Sequence, residues 1–258
     1  IAKIFRIKKI IIKVGNPPPK EFLFKINIFL NFLRLCNIPL VFCSKYALNE
    51  FKKNFKLPTK SINIRNGCSL EKANFLLKNQ KVKLIKNRKF TITMVARLDN
   101  IKDHETLIKA FSSINNEQWD LKLVGEGEKK DYLEKLVSNL NGNKNIKFLG
   151  SRNDVLEILS NSDIFAFSTT FKEGFGIVLI EALSLGLPII ASDVPACREV
   201  LNNGEGGILV TPGDYKKWQE KLSFLMYSEN KRYLLAKKAK KISKLYDIKL
   251  VAKEYLNL

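Results

Sequence analysis

The sequence predicts a doubly wound α/β protein. Short β-branched apolar runs alternate with helix-like segments along its 258 residues, and a glycine-containing loop follows one such run where a helix opens. With 45% hydrophobic residues and a formal charge of +20, the chain has material for one large or two modest domains, which excludes a disordered or collagen-like chain.

The alternation is clearest from Phe90 onward. Phe90 to Ala96 reads as a buried strand, and Lys102 to Ser113 as a helix with apolar Leu107, Ile108 and Phe111. Leu121 to Val124 is the next strand and Glu128 to Leu140 the next helix. Ile146 to Leu149 precedes a short helix from Asn153, Ile164 to Phe167 precedes a helix from Gly176, and Pro188 to Ala191 precedes a short helix before Leu201. Gly207 to Val210 closes the series, and helices follow from Asp214, Glu229 and Asp247. Strand, helix, strand at this spacing implies right-handed crossovers and a parallel sheet covered on both faces.

The first part is less regular. Ile10 to Val14, Leu40 to Phe42 and Ser61 to Ile64 read as strands, with helices over Glu21 to Leu35 and Ser44 to Phe55, as if they were the last units of another α/β domain. Ser69 to Arg88, rich in Lys and Asn and poor in strand signals, reads as a linker. The expected organisation is therefore a remnant over 1–68, a linker over 69–88 and a complete domain over 89–258, with the last helix free to pack back on the remnant. The first residue is Ile and no secretory pattern follows it, so the expectation is a fragment lacking its true N-terminus, acting in the cytoplasm.

The charge comes from 45 Lys and Arg against 25 Asp and Glu, and only eight of the cations are Arg. The Lys, Ile and Asn bias runs through every segment, and no zinc-finger, RNP or zipper pattern accompanies it, so no nucleic-acid partner is expected. A peripheral contact with an anionic membrane face fits better, because Lys20, Lys25 and Arg34 flank an apolar amphipathic helix. Cys36, Cys43, Cys68 and Cys197 are scattered and His104 is the single His, so neither a zinc site nor a disulfide framework fits. His104 itself reads as a surface residue at a helix start.

Chemistry concentrates between Ser168 and Arg198. The loop Ser168 to Gly176 follows a strand and opens a helix, so its backbone amides and the helix N-terminus can hold an anion. Glu173 sits in that loop, and Glu181 falls within the helix that follows. Gly125-Glu126-Gly127 lacks the third glycine of a dinucleotide fingerprint and follows the second strand of its domain, so it is not read as one.

The composite of Glu173-Gly-Phe-Gly176, Glu181-Ala182 and Gly186-Leu-Pro-Ile-Ile-Ala-Ser-Asp193 resembles the signature of family 4 retaining glycosyltransferases. Arg97 with Lys102, Val124 to Gly127, Ile146 to Gly150 and Ile64 to Gly67 resemble further marks of that family in the same order. The resemblance implies a GT-B fold, with a donor-binding C-terminal domain and an acceptor-binding N-terminal one, and sugar transfer from a nucleotide-diphosphate sugar to an acceptor hydroxyl. It implies that Arg97 and Lys102 pair with the donor diphosphate, so that no metal or other cofactor is needed. It also implies that Glu173 accepts from hydroxyls of the transferred sugar, Glu181 from the ribose, and that the amides of Gly174, Phe175 and Gly176 help hold sugar and phosphate. Gly125 and the backbone from Gly150 to Asn153, with Arg152, would complete the donor site. The acceptor would be a carbohydrate or a lipid-linked carbohydrate of cell-surface synthesis. A donor-binding fragment without turnover and a GT-B sugar-nucleotide epimerase remain open beside this reading.

Overall fold

The computed structural model describes residues 10–79, 89–140 and 144–258. Its backbone forms two parallel sheets. The first contains β1 (Ile12–Val14), β2 (Leu40–Phe42) and β3 (Ile62–Asn63) in that order. Their crossovers are α1 (Leu23–Leu35) and α2 (Lys45–Asn54), and Leu30, Leu33, Leu40, Phe42, Ala47 and Phe51 form the core between them.

The second sheet has six strands: β4 (Phe90–Val95), β5 (Trp119–Val124), β6 (Ile146–Phe148), β7 (Ile164–Phe167), β8 (Ile189–Ser192) and β9 (Ile208–Val210). Their spatial order is β6-β5-β4-β7-β8-β9, and every pair is parallel. The chain winds outward from β4 in one direction, then returns and winds outward from β7 in the other. Such a reversal leaves a crevice at the carboxyl ends of the two middle strands. Crossovers α4 (His104–Ser112), α5 (Lys130–Asn139), α6 (Val155–Ser160), α7 (Ile177–Ser184) and α8 (Pro195–Val200) cover the sheet, and α9 (Tyr215–Tyr227) and α10 (Glu229–Ser243) follow. β7 and β8 are buried at every residue, as strands packed on both faces must be. The polar Thr93 survives inside β4 because its hydroxyl shares a 2.6 Å hydrogen bond with that of Ser162.

One sequence expectation gains detail and one changes. Ser69 to Arg88 read as a linker, but Leu70–Asn79 is a helix, α3. Its apolar positions are few: Ala73 is buried in the core of the second sheet, Leu77 packs half-buried against the same core, and most of the helix is exposed, so the stripe was easily missed. Residues 80–88 of that expected linker lie outside the described residues. His104, expected at the surface, is 2% exposed, because the helix it opens is pressed into the core by Leu107, Ile108 and Phe111.

The two sheets are joined through several contacts. The final helix α11 (Ile248–Leu256) returns to the first sheet, where Val251 packs with Val41 and Ile64. The carboxylate of Glu199, in α8, accepts hydrogen bonds from the amides of Lys45 (2.8 Å) and Tyr46 (3.1 Å), at the start of α2. Those amides have no intrahelical acceptor, so a carboxylate from the other sheet caps them.

Candidate functional site

The loop after β4 turns on Asp99, whose Oδ1 accepts from the amides of Ile101 and Lys102, and Asp103 then caps α4 through the amide of Thr106. The loop after β7 is stitched to it. Thr169 and Thr170 both donate their hydroxyls to the carbonyl of Ile101, and the amide of Asp103 donates to the carbonyl of Ser168. This stitching brings together Lys102 and Glu173, which are far apart in sequence.

Lys102 Nζ pairs with Glu173 Oε2, and both side chains are nearly buried, at 12% and 8% exposure. Other donors surround Glu173: Oε1 accepts from the amides of Gly174 (3.1 Å) and Phe175 (3.4 Å), and Oε2 lies 3.3 Å from Thr169 Oγ1, whose one proton it shares with the Ile101 carbonyl. Donors of this kind offset the cost of taking a carboxylate out of water. Two of the amides expected to face a ligand are thereby engaged by the adjacent carboxylate.

Around this pair lies a cavity of about 480 Å³ at the carboxyl ends of β4 and β7, the position the strand order singles out. Arg97, Lys102, Glu173, Phe175 and Gly176 line it from the second sheet, and Gly15, Asn16, Cys43 and Asn66 from the first. Arg97 is 72% exposed and lies 3.0 Å from Asp99 Oδ2, so its guanidinium stands at the mouth with a single carboxylate beside it. Gly176 caps α7 with φ of 79°, a left-handed conformation that favours glycine. Gly174 is required for a different reason: a Cβ there would overlap the carbonyl of Gly15 and the side chain of Asn16, so the two walls meet backbone to backbone.

The other expected residues are nearby but do not line the cavity. Glu181 sits one turn along α7 from Ile177, which does line it, and burial raises its carboxyl pKa against the opposing charge of Lys72 in α3. Gly125 and Gly150 lie side by side, the amide of one donating to the carbonyl of the other at 2.8 Å. Arg152 is turned into a bidentate pair with Asp154, both bonds at 2.8 Å.

Sequence reasoning missed the opposing wall. Asn16 follows a strand and a glycine and precedes three prolines, a turn signal that could have marked it. Cys43 donates its thiol to the Gly15 carbonyl at 2.9 Å, and burial pushes its pKa up to about 11. His104 lies behind Lys102. Burial, with a smaller contribution from the Lys102 charge, lowers its pKa to about 4, so the ring is neutral. Among the described residues, no group of three or more His, Cys, Asp or Glu side chains is placed to hold a metal ion. A second cavity, of about 550 Å³, lies beside β9 and α10, but its Arg198 is already paired with Asp193. The cavity at the strand reversal, with polar groups converging from both sheets, is the better site.

A doubly wound sheet with a basic and acidic pair at its reversal point is the setting of a nucleotide-type ligand site. The family profile described as glycosyl transferases group 1 matches residues 77–242, and the chain belongs to that family. It is 30% identical over 217 residues to the N-acetylgalactosamine-N,N'-diacetylbacillosaminyl-diphospho-undecaprenol 4-alpha-N-acetylgalactosaminyltransferase of Campylobacter jejuni, covering 83% of this chain and 57% of that one. It is also 30% identical over 210 residues to the capsular polysaccharide biosynthesis glycosyltransferase CapM of Staphylococcus aureus, covering 76% and 53%. The chain thus spans about half the length of these relatives. Among solved structures it is similar to Anabaena HepE in complex with UDP and glucose, with TM-score 0.83 and 21% identity over 99% of this chain and 72% of that one. It is also similar to WaaG, a glycosyltransferase involved in lipopolysaccharide biosynthesis, with TM-score 0.78 and 17% identity over 98% and 78%. These likenesses identify the fold as GT-B.

Proposed function

We propose that this chain carries the donor site of a retaining glycosyltransferase, which moves a sugar from a nucleotide-diphosphate sugar to an acceptor hydroxyl in cell-surface polysaccharide or glycoconjugate synthesis. The observation that carries the reading is the convergence of Arg97, Lys102 and Glu173 on one cavity at the strand reversal. In this reading residues 89–258 bind the donor, 1–68 contribute to acceptor binding and 69–88 connect them.

Arg97 and Lys102 offset the charge of the departing diphosphate, Arg97 through a planar fork and Lys102 as a compact cation. Two cations at that position supply what a metal would otherwise supply, so the donor is the only small molecule required. Lys102 is already desolvated, and a phosphate reaching it competes with Glu173, which is then released to accept from a sugar hydroxyl. Release of Glu173 from the amides of Gly174 and Phe175 would also turn those donors toward the ligand. Gly176 continues that wall, and Glu181 accepts from the ribose. Gly125 and Gly150, with Arg152, flank the base. Retention proceeds by attack on the face from which the phosphate leaves, and catalysis then rests on positioning and on charge stabilisation. The C. jejuni relative's name specifies a diphospho-undecaprenol acceptor, which supports a lipid-linked acceptor here and peripheral contact with the inner, anionic membrane face. Among the described residues no helix is long and apolar enough to cross a membrane.

The test is a thermal-shift titration with UDP, GDP, ADP and their sugar conjugates. A ligand at about a hundredfold its Kd adds roughly 2.7 kcal/mol of stability. Stabilisation by one nucleotide, weakened in Glu181→Ala, supports the site. A cooperatively folded chain that responds to none of them refutes it.

A further inference from the structure

The cavity of about 550 Å³ beside β9 and α10 shares no lining residue with the one at the strand reversal and has a charge pattern of its own. Arg198, in the last turn of α8, lines it. Its Nε lies 2.5 Å from Asp193 Oδ1 and its Nη2 donates to Oδ2 at 2.6 Å, so one carboxylate fixes the guanidinium along one edge. Nη1 has no partner among the described residues, and the side chain is 52% exposed. A planar fork already held in this way loses little freedom when a further acceptor binds it.

Lys231 and Lys238, both on α10, supply two more cations. Seven residues at about 100° each bring them to the same face of the helix, two turns apart. Among the described residues neither belongs to an ion pair: the Lys231 ammonium lies 5.7 Å from the Phe224 ring, and Lys238 has no partner. The lining therefore holds three cations and one carboxylate, and that carboxylate is taken up by Arg198. Ile208, Leu209 and Leu234 add an apolar surface beside them. The volume is that of a small-molecule pocket.

We propose that this cavity is a second anion site, which takes a small phosphate ester bearing at least two negative charges and an apolar or planar body. Charge decides the class, since a neutral ligand would leave all three cations unmatched and desolvate them without return. Phosphate oxygens suit both kinds of cation, the Arg198 fork by geometry and the lysines as compact charges. The site goes beyond the donor reading and does not depend on it, because its cations are not those of Arg97 and Lys102.

The test is calorimetric titration of the full chain with inorganic pyrophosphate at about 0.15 M salt, where attraction between distant exposed charges is largely screened. Expected are two binding events, one removed by Arg97→Gln and the other weakened about tenfold or more by Lys231→Gln/Lys238→Gln. Both lysines are exposed, so the double variant should keep the native melting curve. A single event that the lysine variant weakens and Arg97→Gln leaves alone supports this site and counts against the donor reading. A single event removed by Arg97→Gln and indifferent to the lysines overturns the proposal. Weak binding that all variants share and that disappears at about 1 M salt overturns it too, since that is diffuse attraction to a chain of charge +20.

Discussion

Replacing Lys102 by Met removes the cation from a pair that is almost wholly out of water and leaves Glu173, 8% exposed, without it. Breaking a buried pair by removing one partner costs about 3–5 kcal/mol. Glu173 keeps the amides of Gly174 and Phe175 and a share of the Thr169 hydroxyl proton, so the cost here falls to about 2–3 kcal/mol. For a chain of this size that lowers Tm by about 5–10 °C. Glu173→Gln leaves a buried ammonium with a neutral partner and costs a similar amount. The informative measurement is the full double-mutant cycle, read by urea denaturation of all four proteins. If the two groups act as a pair, the double variant is about 1–3 kcal/mol more stable than the sum of the single losses predicts. Losses that add to within about 0.5 kcal/mol would refute the pairing, and with it the idea that a ligand phosphate must displace Glu173 to reach Lys102.

Three further outcomes follow from the same structure. His104 is neutral when folded, with its pKa lowered to about 4, while the unfolded chain takes up a proton below about 6.5; its contribution is therefore complete above pH 6.5 and is lost as pH falls through 4. The stability advantage of the native chain over His104→Leu should shrink by about 3 kcal/mol between pH 7 and pH 4, and parallel pH curves would refute this. A thiol reagent at pH 8 should modify exposed Cys36 first, Cys43 and Cys68 slowly because burial raises both to about 11, and Cys197 only on unfolding; simultaneous modification of all four in the folded protein would contradict the burial pattern. Glu199→Ala should cost about 1–2 kcal/mol through loss of the α2 cap, with Glu199→Gln recovering part of it; an unchanged denaturation midpoint would mean that the cap is not formed in solution.

What could be read from the sequence was local. Strands from Phe90 onward are short, mostly apolar runs, buried at every residue in β7 and β8, and each lies within a residue or two of its expected range. The loop carrying Glu173 declared itself by glycines between a strand and a helix. What could not be read depends on distant partners. Nothing near Glu199 shows that its carboxylate caps a helix more than 150 residues earlier, and nothing in Asp103-His104-Glu105 distinguishes a buried ring from a surface one. Asn16 and Cys43 belong to the cavity only because the two sheets meet there. Helix α3 escaped notice because Lys and Asn dominate its surroundings while Ala73, small and inconspicuous, makes its core contact.

The return of α11 to the first sheet has a bearing on synthesis. Strands β2 and β3 are complete once Asn63 has been made, but Val251, which packs on Val41 and Ile64, lies near the end of the sequence. The amide of Ile248 then joins this helix to the chain just after β3 by donating to the carbonyl of Cys68 at 3.0 Å. At about 5–20 residues per second, roughly 10–40 s of translation separate the strands from the helix that covers them. Throughout that interval the second sheet can assemble from neighbours in sequence, while the face around Val41 and Ile64 has no native partner. The vulnerable species in the cell is therefore the growing chain, and slowing translation beyond Asn63 should favour its capture by chaperones or its aggregation more than it affects the finished fold.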